Sequence, residues 1–134
     1  MMINLNFSIS ELVKSDTAIK NNINNMPDLK SLDNMLNLIF YCLQPLRDKI
    51  KRPIIITSGY RCAQVNRLVG GASDSQHLSG CAADFKVQGM TVQAVISFIK
   101  SSGIEYDQLI NEYDKWVHIS FIKNKNRKQT FKIH

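Results

Sequence analysis

Two histidines and an aspartate define the chemistry open to this chain. His77 stands in Ser75-Gln76-His77-Leu78-Ser79-Gly80, Asp84 follows seven positions later, and His118 lies in Trp116-Val117-His118-Ile119-Ser120. Two imidazoles and a carboxylate suffice to hold a zinc ion and leave a fourth position open for water. The small residues Gly80, Ala82 and Ala83 fill the space between His77 and Asp84. A second carboxylate, Glu112, stands six residues before His118. Period-two alternation puts Trp116, His118 and Ser120 on one strand face. A tight hairpin would bring Glu112 to that face, free to act as general base on a water. The spacing permits this geometry without fixing it.

The elements that must position these groups read as follows. Ser8-Ile9-Ser10-Glu11 is a capping box opening a short helix, and the Asn-rich stretch Asn21–Asn25 is a loop. Pro27 suits a first helical turn. Leu29, Leu32, Leu36, Ile39, Phe40, Leu43 and Leu46 then recur at helical spacing, which predicts one long core helix to about Ile50, bent or broken at Pro45. Pro53-Ile54-Ile55-Ile56-Thr57 predicts a buried strand. A turn at Ser58–Arg61 leads to a short helix over Ala63–Leu68, stopped by Gly70-Gly71, and a second strand covers Ala82–Val87. Thr91 caps a helix whose Val92, Val95, Ile96 and Ile99 face the core and which Gly103 ends. Strands follow over Asp107–Glu112, Trp116–Phe121 and Thr130–Ile133, the first two joined through Tyr113-Asp114-Lys115. The order predicts an α+β fold: a small, largely antiparallel sheet carrying the zinc site, packed against N-terminal helices and one inserted helix. One domain over 1–134 is expected, helical over 1–52 and with the catalytic sheet over 53–134.

Composition narrows the class. The 134 residues are 44% hydrophobic and 21% charged, ordinary for a soluble globular chain, and no apolar run is long enough to span a membrane. Met1–Asn6 carries no basic segment followed by an apolar block, so no export signal is expected and synthesis is placed in the cytoplasm. Three cysteines, Cys42, Cys62 and Cys81, are too few for a disulfide framework. The net charge of +6 favours polyanions. Its positives cluster at Arg47, Lys49, Lys51 and Arg52 and in the tail Lys123, Lys125, Arg127, Lys128 and Lys132, read as solvated surface. Asp107 and Asp114 are likewise read as solvated. No nucleic-acid motif accompanies the charge, so a nucleic-acid partner is not expected. Neither is stable membrane association, and a monomer is expected.

The segments Ser58-Gly59-Tyr60-Arg61, Asn66, Gly70-Gly71-Ala72, Ser75-Gln76-His77, Gly80, Ala82-Ala83-Asp84 and Trp116–Ser120 together resemble the zinc D-alanyl-D-alanine carboxypeptidase family. That family is grouped with lysostaphin-type peptidases and the hedgehog amino-terminal domain, and it includes phage endolysins. The likeness runs from about Phe7 to Phe121. It implies that His77, Asp84 and His118 are zinc ligands. It also implies that Arg61 helps hold and polarise the substrate, and that Glu112 is the catalytic carboxylate as hedgehog-like members place it. The dipeptidase branch has a glutamate three before the last histidine. Lys115 stands there instead, which leaves Asp114 as the reserve base, and Trp116 replaces an auxiliary histidine. Ser75 and Trp116 are candidate substrate-binding residues, with loop stabilisation and core packing as their alternatives. For Arg61 the alternative is a structural ion pair to Asp84 or Glu112. Cys81 is set aside as a ligand.

The resemblance implies zinc-dependent hydrolysis of a peptidoglycan stem peptide at a bond next to a D-amino acid, D,D or L,D, for phage lysis or wall penetration. A non-catalytic zinc-stabilised recognition module for cell wall or another ligand is the alternative.

Overall fold

The computed structural model describes residues 5–134; residues 1–4, on which part of the export-signal reading falls, lie outside the described residues. Short helices α1 (Ile9–Val13) and α2 (Asp16–Lys20) open the chain. Ser8 caps α1 as its spacing predicts, its Oγ accepting the Glu11 N–H at 3.1 Å. Ser15 caps α2 in the same way. Pro27 does not occupy the first helical turn. Asp28 takes the cap of α3 (Leu29–Leu38) by accepting the Ser31 N–H at 2.7 Å, which leaves Pro27 outside the helix.

The long helix is continuous to Ile50 but not regular. After α3 comes one π turn, Ile39–Leu43, in which the Gln44 N–H reaches back to the Ile39 carbonyl, and then α4 (Gln44–Ile50). Pro45 lacks the N–H of a regular turn and its ring crowds the carbonyl four residues back, so the wider turn lies where the predicted bend does. The buried stripe is Ser31, Met35, Leu38, Ile39, Cys42, Leu43, Leu46 and Ile50. Leu29, Leu36 and Phe40, read as core from their spacing, are exposed.

Five strands, β1 (Ile54–Ser58), β2 (Ala82–Val87), β3 (Gln108–Glu112), β4 (Trp116–Ser120) and β5 (Gln129–Ile133), form one sheet in the order β1-β2-β4-β3-β5. All neighbours are antiparallel except β3 and β5. The predicted largely antiparallel α+β arrangement is therefore present. β1 is an edge strand rather than a buried one: Ile54 is buried while Ile55 is exposed.

Helix α5 (Ala63–Leu68) follows β1, and α6 (Val92–Ser102), capped by Thr91 and ended by Gly103 in left-handed conformation, is inserted between β2 and β3. It packs against β2, β3, β4 and α4. Phe85 of β2, Leu109 of β3, and Val117 and Ile119 of β4 join Met35, Leu38, Leu46 and Ile99 in the core. Alternation then sends Asp84, Ile110, Glu112, Trp116 and His118 to the opposite face. The helices fix which face of the sheet is left for chemistry. Among the described residues no helix is long and apolar enough to cross a membrane.

Candidate functional site

Strand register assembles half of the site. Asp84 on β2 pairs directly with His118 on β4, His118 with Ile110 on β3, and Glu112 with Trp116 beside the hairpin. That hairpin is tight: Tyr113 and Asp114 both have positive φ, and the Lys115 N–H closes on the Glu112 carbonyl at 3.0 Å. Side chains directly opposite one another on adjacent strands are in contact range. His118 Nδ1 lies 2.9 Å from Asp84 Oδ1 and 3.6 Å from Glu112 Oε1.

His77 arrives from a 3₁₀ turn, Gln76–Ser79, which Ser75 caps by accepting the His77 N–H at 3.2 Å. Gly80 ends the turn at φ 78°, a conformation glycine adopts without cost. A Cβ there would also run into the backbone of Ser31 on α3. The turn is thus pressed against the long helix, and His77 Nε2 comes to 3.3 Å from Asp84 Oδ1. Its Nδ1 lies 2.7 Å from the Gly59 carbonyl. A carbonyl only accepts, so Nδ1 carries a proton, and Nε2 is the ring nitrogen turned to the cluster.

The three donor atoms lie within 4.8 Å of one another and all three residues are buried. Ligands at about 2.0–2.2 Å around a tetrahedral zinc stand about 3.3–3.6 Å apart, so donor types and spacing fit a metal ion. Burial alone would raise the Asp84 pKa; hydrogen bonds from His118 and His77 outweigh it and hold the carboxyl well below its usual range. An ionised carboxylate between two imidazoles is the kind of donor a dication favours.

Arg61 stands beside this group, its Nη2 3.6 Å from Asp84 Oδ2. Ser58 Oγ accepts from its Nε at 3.2 Å and Asn66 Oδ1 from Nη1 at 3.4 Å. The pair to Asp84 offered as its structural alternative is present, and the same guanidinium lines the groove. Trp116 Nε1 donates to Glu112 Oε2 at 2.8 Å, so the indole fixes the carboxylate that faces His118. Asp114, the reserve base, bonds instead to Asn111 and Lys132 and lies outside the groove lining.

Four residues near the site were missed or misread. Asn25, one of an Asn-rich run, is buried; its Nδ2 donates to the Val13 and Tyr60 carbonyls and its Oδ1 accepts the Cys62 N–H at 2.7 Å. It thereby clamps the backbone on both sides of Arg61. Asp107 is not solvated but 0% exposed. It accepts from Arg127 Nε, Nη2 and N–H and from Gln76 Nε2. Arg127, itself exposed, and Gln76 thus share the buried Asp107 carboxylate. No local sequence signal marks these groups, because each partner comes from a distant part of the chain.

The Asp107 carboxyl is held down at about 2, first by the hydrogen bonds from Arg127, against 3.8 for the free group. A depressed folded-state pKa gives stability that is fully present above the unfolded value and lost as pH falls through the folded one. Asp107→Asn is therefore expected to cost about 2 kcal/mol at pH 7. The gap to wild type should close as pH drops from about 4 towards 2 in urea unfolding curves. A gap that stays constant with pH would mean the carboxylate charge contributes nothing.

A groove of about 580 Å³ is lined by His77, Asp84, His118, Arg61, Glu112 and Arg127, and by Ser75. A second hollow of about 460 Å³ shares Arg61 and Asp84 with it and reaches Trp116 and Tyr60 from the side of α2. No curated protein matches the chain. The family model for Peptidase M15, a family of metal-dependent peptidases, matches residues 5–120, the helices and the sheet strands that carry the cluster. With two imidazoles and two carboxylates converging on one groove inside that matched segment, the chain belongs to the Peptidase M15 family.

Proposed function

We propose that the protein is a zinc-dependent hydrolase of peptidoglycan stem peptides, cutting a bond next to a D-amino acid, with His77, Asp84 and His118 as the metal ligands. The observation that carries this reading is Glu112. It faces the ligand group at 3.6 Å from His118 Nδ1, yet it is held by the Trp116 indole rather than drawn into the trio. A recognition module has no need of a second, separately anchored carboxylate. Zinc at such a site supplies Lewis acidity and lowers the pKa of a water towards about 7.

The chain's own groups then have distinct tasks. Glu112 takes the proton from the attacking water and returns it to the leaving amine. Arg61, oriented by Ser58 and Asn66, donates to the oxyanion as charge develops on the carbonyl oxygen. Ser75 lines the groove and Trp116 the adjoining hollow, which supports a part for each in substrate binding. The likeness to D-alanyl-D-alanine carboxypeptidases supports a D-amino acid at the cut. The charge of +6 supports attraction to an anionic wall, an attraction that salt weakens. The bacterial wall is accordingly the place of action, in phage lysis or wall penetration, with the protein working as a monomer.

Peptide release from purified peptidoglycan, with bound zinc quantified, tests the reading. Release that stops on chelation and returns with zinc is the expected result. Full zinc occupancy without release from any wall type would instead make this a recognition module. Trp116→Phe keeps an aromatic ring, though a smaller one, but loses the N–H to Glu112. It is expected to slow hydrolysis about tenfold with zinc content unchanged, checked by steady-state kinetics beside metal analysis.

A further inference from the structure

Arg127 lies beyond the family-matched segment, yet it enters the wall of the same groove. Its backbone is already tied to the residue just before β3: its own N–H donates to Asp107 Oδ1 at 2.8 Å, and the Gln129 N–H to the Asp107 carbonyl at 2.9 Å. The guanidinium adds a forked pair to the same carboxylate, Nε to Oδ1 at 3.0 Å and Nη2 to Oδ2 at 2.7 Å. A fork of this kind fixes the plane and direction of the group. The arrangement leaves Nη1 and the second hydrogen of Nη2 out of the pair. The Arg127 side chain remains 51% exposed while Asp107 is sealed. The anchoring acid is thus hidden behind the arginine, and the donors that are left belong to a groove-lining side chain.

Gln76 ties this pair to the metal-ligand turn. Its Nε2 donates to Asp107 Oδ2 at 2.7 Å, and His77 is the next residue. Since a carboxylate only accepts, the amide orientation is fixed. Its Oε1 is then a buried side-chain oxygen without a hydrogen-bond partner among the described residues.

We infer that Arg127, held by Asp107, forms a carboxylate-binding subsite of the groove, so that substrates bearing a free carboxylate on this side of the cut are preferred over their carboxamides. The inference rests on the peptidase reading above. Bidentate recognition of a planar carboxylate is what a guanidinium fixed in direction does best. The carboxylate is either the peptide's C-terminus or one on a branch or side chain, and the two sources are separable by synthesis.

The test uses a stem pentapeptide in three forms: all carboxylates free, only the terminal one amidated, and only the others amidated. Binding is measured by calorimetry on zinc-loaded Glu112→Gln protein, alone and combined with Arg127→Gln or Arg127→Lys. Hydrolysis of the same peptides by the wild type runs alongside. One of the two amidations is expected to weaken binding about 10- to 100-fold with Arg127 present, and which one identifies the source. That penalty should vanish in Arg127→Gln and persist in part in Arg127→Lys. A purely structural role for Arg127 would lower all three affinities equally and leave the penalty intact, which overturns the subsite. So does the lack of any penalty when Arg127 is present. Hydrolysis without carboxylate preference sinks the subsite alone, whereas no binding and no hydrolysis with zinc in place sinks the peptidase reading with it.

Discussion

Glu112→Gln is expected to lower kcat/KM for stem-peptide hydrolysis by about 10²–10⁴-fold, the range general-base removal produces, while leaving one zinc per chain. The two halves of that expectation come from different contacts. The amide has nearly the shape of the carboxylate and its oxygen still accepts the Trp116 N–H, so the side chain keeps its place. What it loses is the capacity to take a proton. Zinc retention follows because the ligand trio is complete without Glu112. Loss of zinc in the variant would make Glu112 a ligand rather than a base. Near-normal turnover would transfer the proton to another group; Asp114 is poorly placed for that, bonded as it is to Asn111 and Lys132.

Much of the fold could be read along the chain where local rules decide. Ser8, Thr91 and Gly103 act within one helical turn of themselves, and their sequence signals hold. The alternation in Trp116–Ser120 names the face of His118 because a strand has only two faces. The long helix shows where such reading stops. Leu29, Leu32, Leu36, Ile39, Phe40, Leu43 and Leu46 fit a helical stripe. So does the set that is buried, Ser31, Met35, Leu38, Ile39, Cys42, Leu43, Leu46 and Ile50. Periodicity cannot choose between overlapping stripes. The choice is made by the turn at Gly80, which presses on Ser31 and admits no Cβ. The candidate site divides in the same way. His77, Asp84, His118 and Glu112 stand out by type and spacing, yet the meeting of Asp84 with His118 depends on the strand order β2-β4-β3, which no local pattern contains. Asn25, Asp107 and Arg127 were unreadable because their partners are remote. The sharpest case is Asp107, whose charge suggests water until Arg127 is known to cover it.

Asp84→Ala is expected to abolish zinc binding at micromolar metal and to lower hydrolysis at least about 10³-fold, since both the Lewis acid and the water it activates are lost with the metal. The effect should be larger than for either histidine, because Asp84 is the hub. His77, His118 and Arg61 all approach its carboxylate, at 3.3, 2.9 and 3.6 Å. Without it, the ligands left are two imidazoles, with the Arg61 guanidinium and the Glu112 carboxylate as the nearby charges, and the charge balance that favours binding is weakened. A stability readout separates this from simple misfolding. A metal that binds only the folded chain stabilises it by RT ln(1 + [L]/Kd), about 4 kcal/mol at a thousandfold excess over Kd. Wild-type Tm should therefore fall on chelation and recover with zinc, whereas Asp84→Ala should melt cooperatively at one temperature whether chelator or zinc is present. A cooperative melt that zinc still raises would show that the two histidines bind the ion without the carboxylate, and the hub would then belong to Arg61 and substrate rather than to the metal.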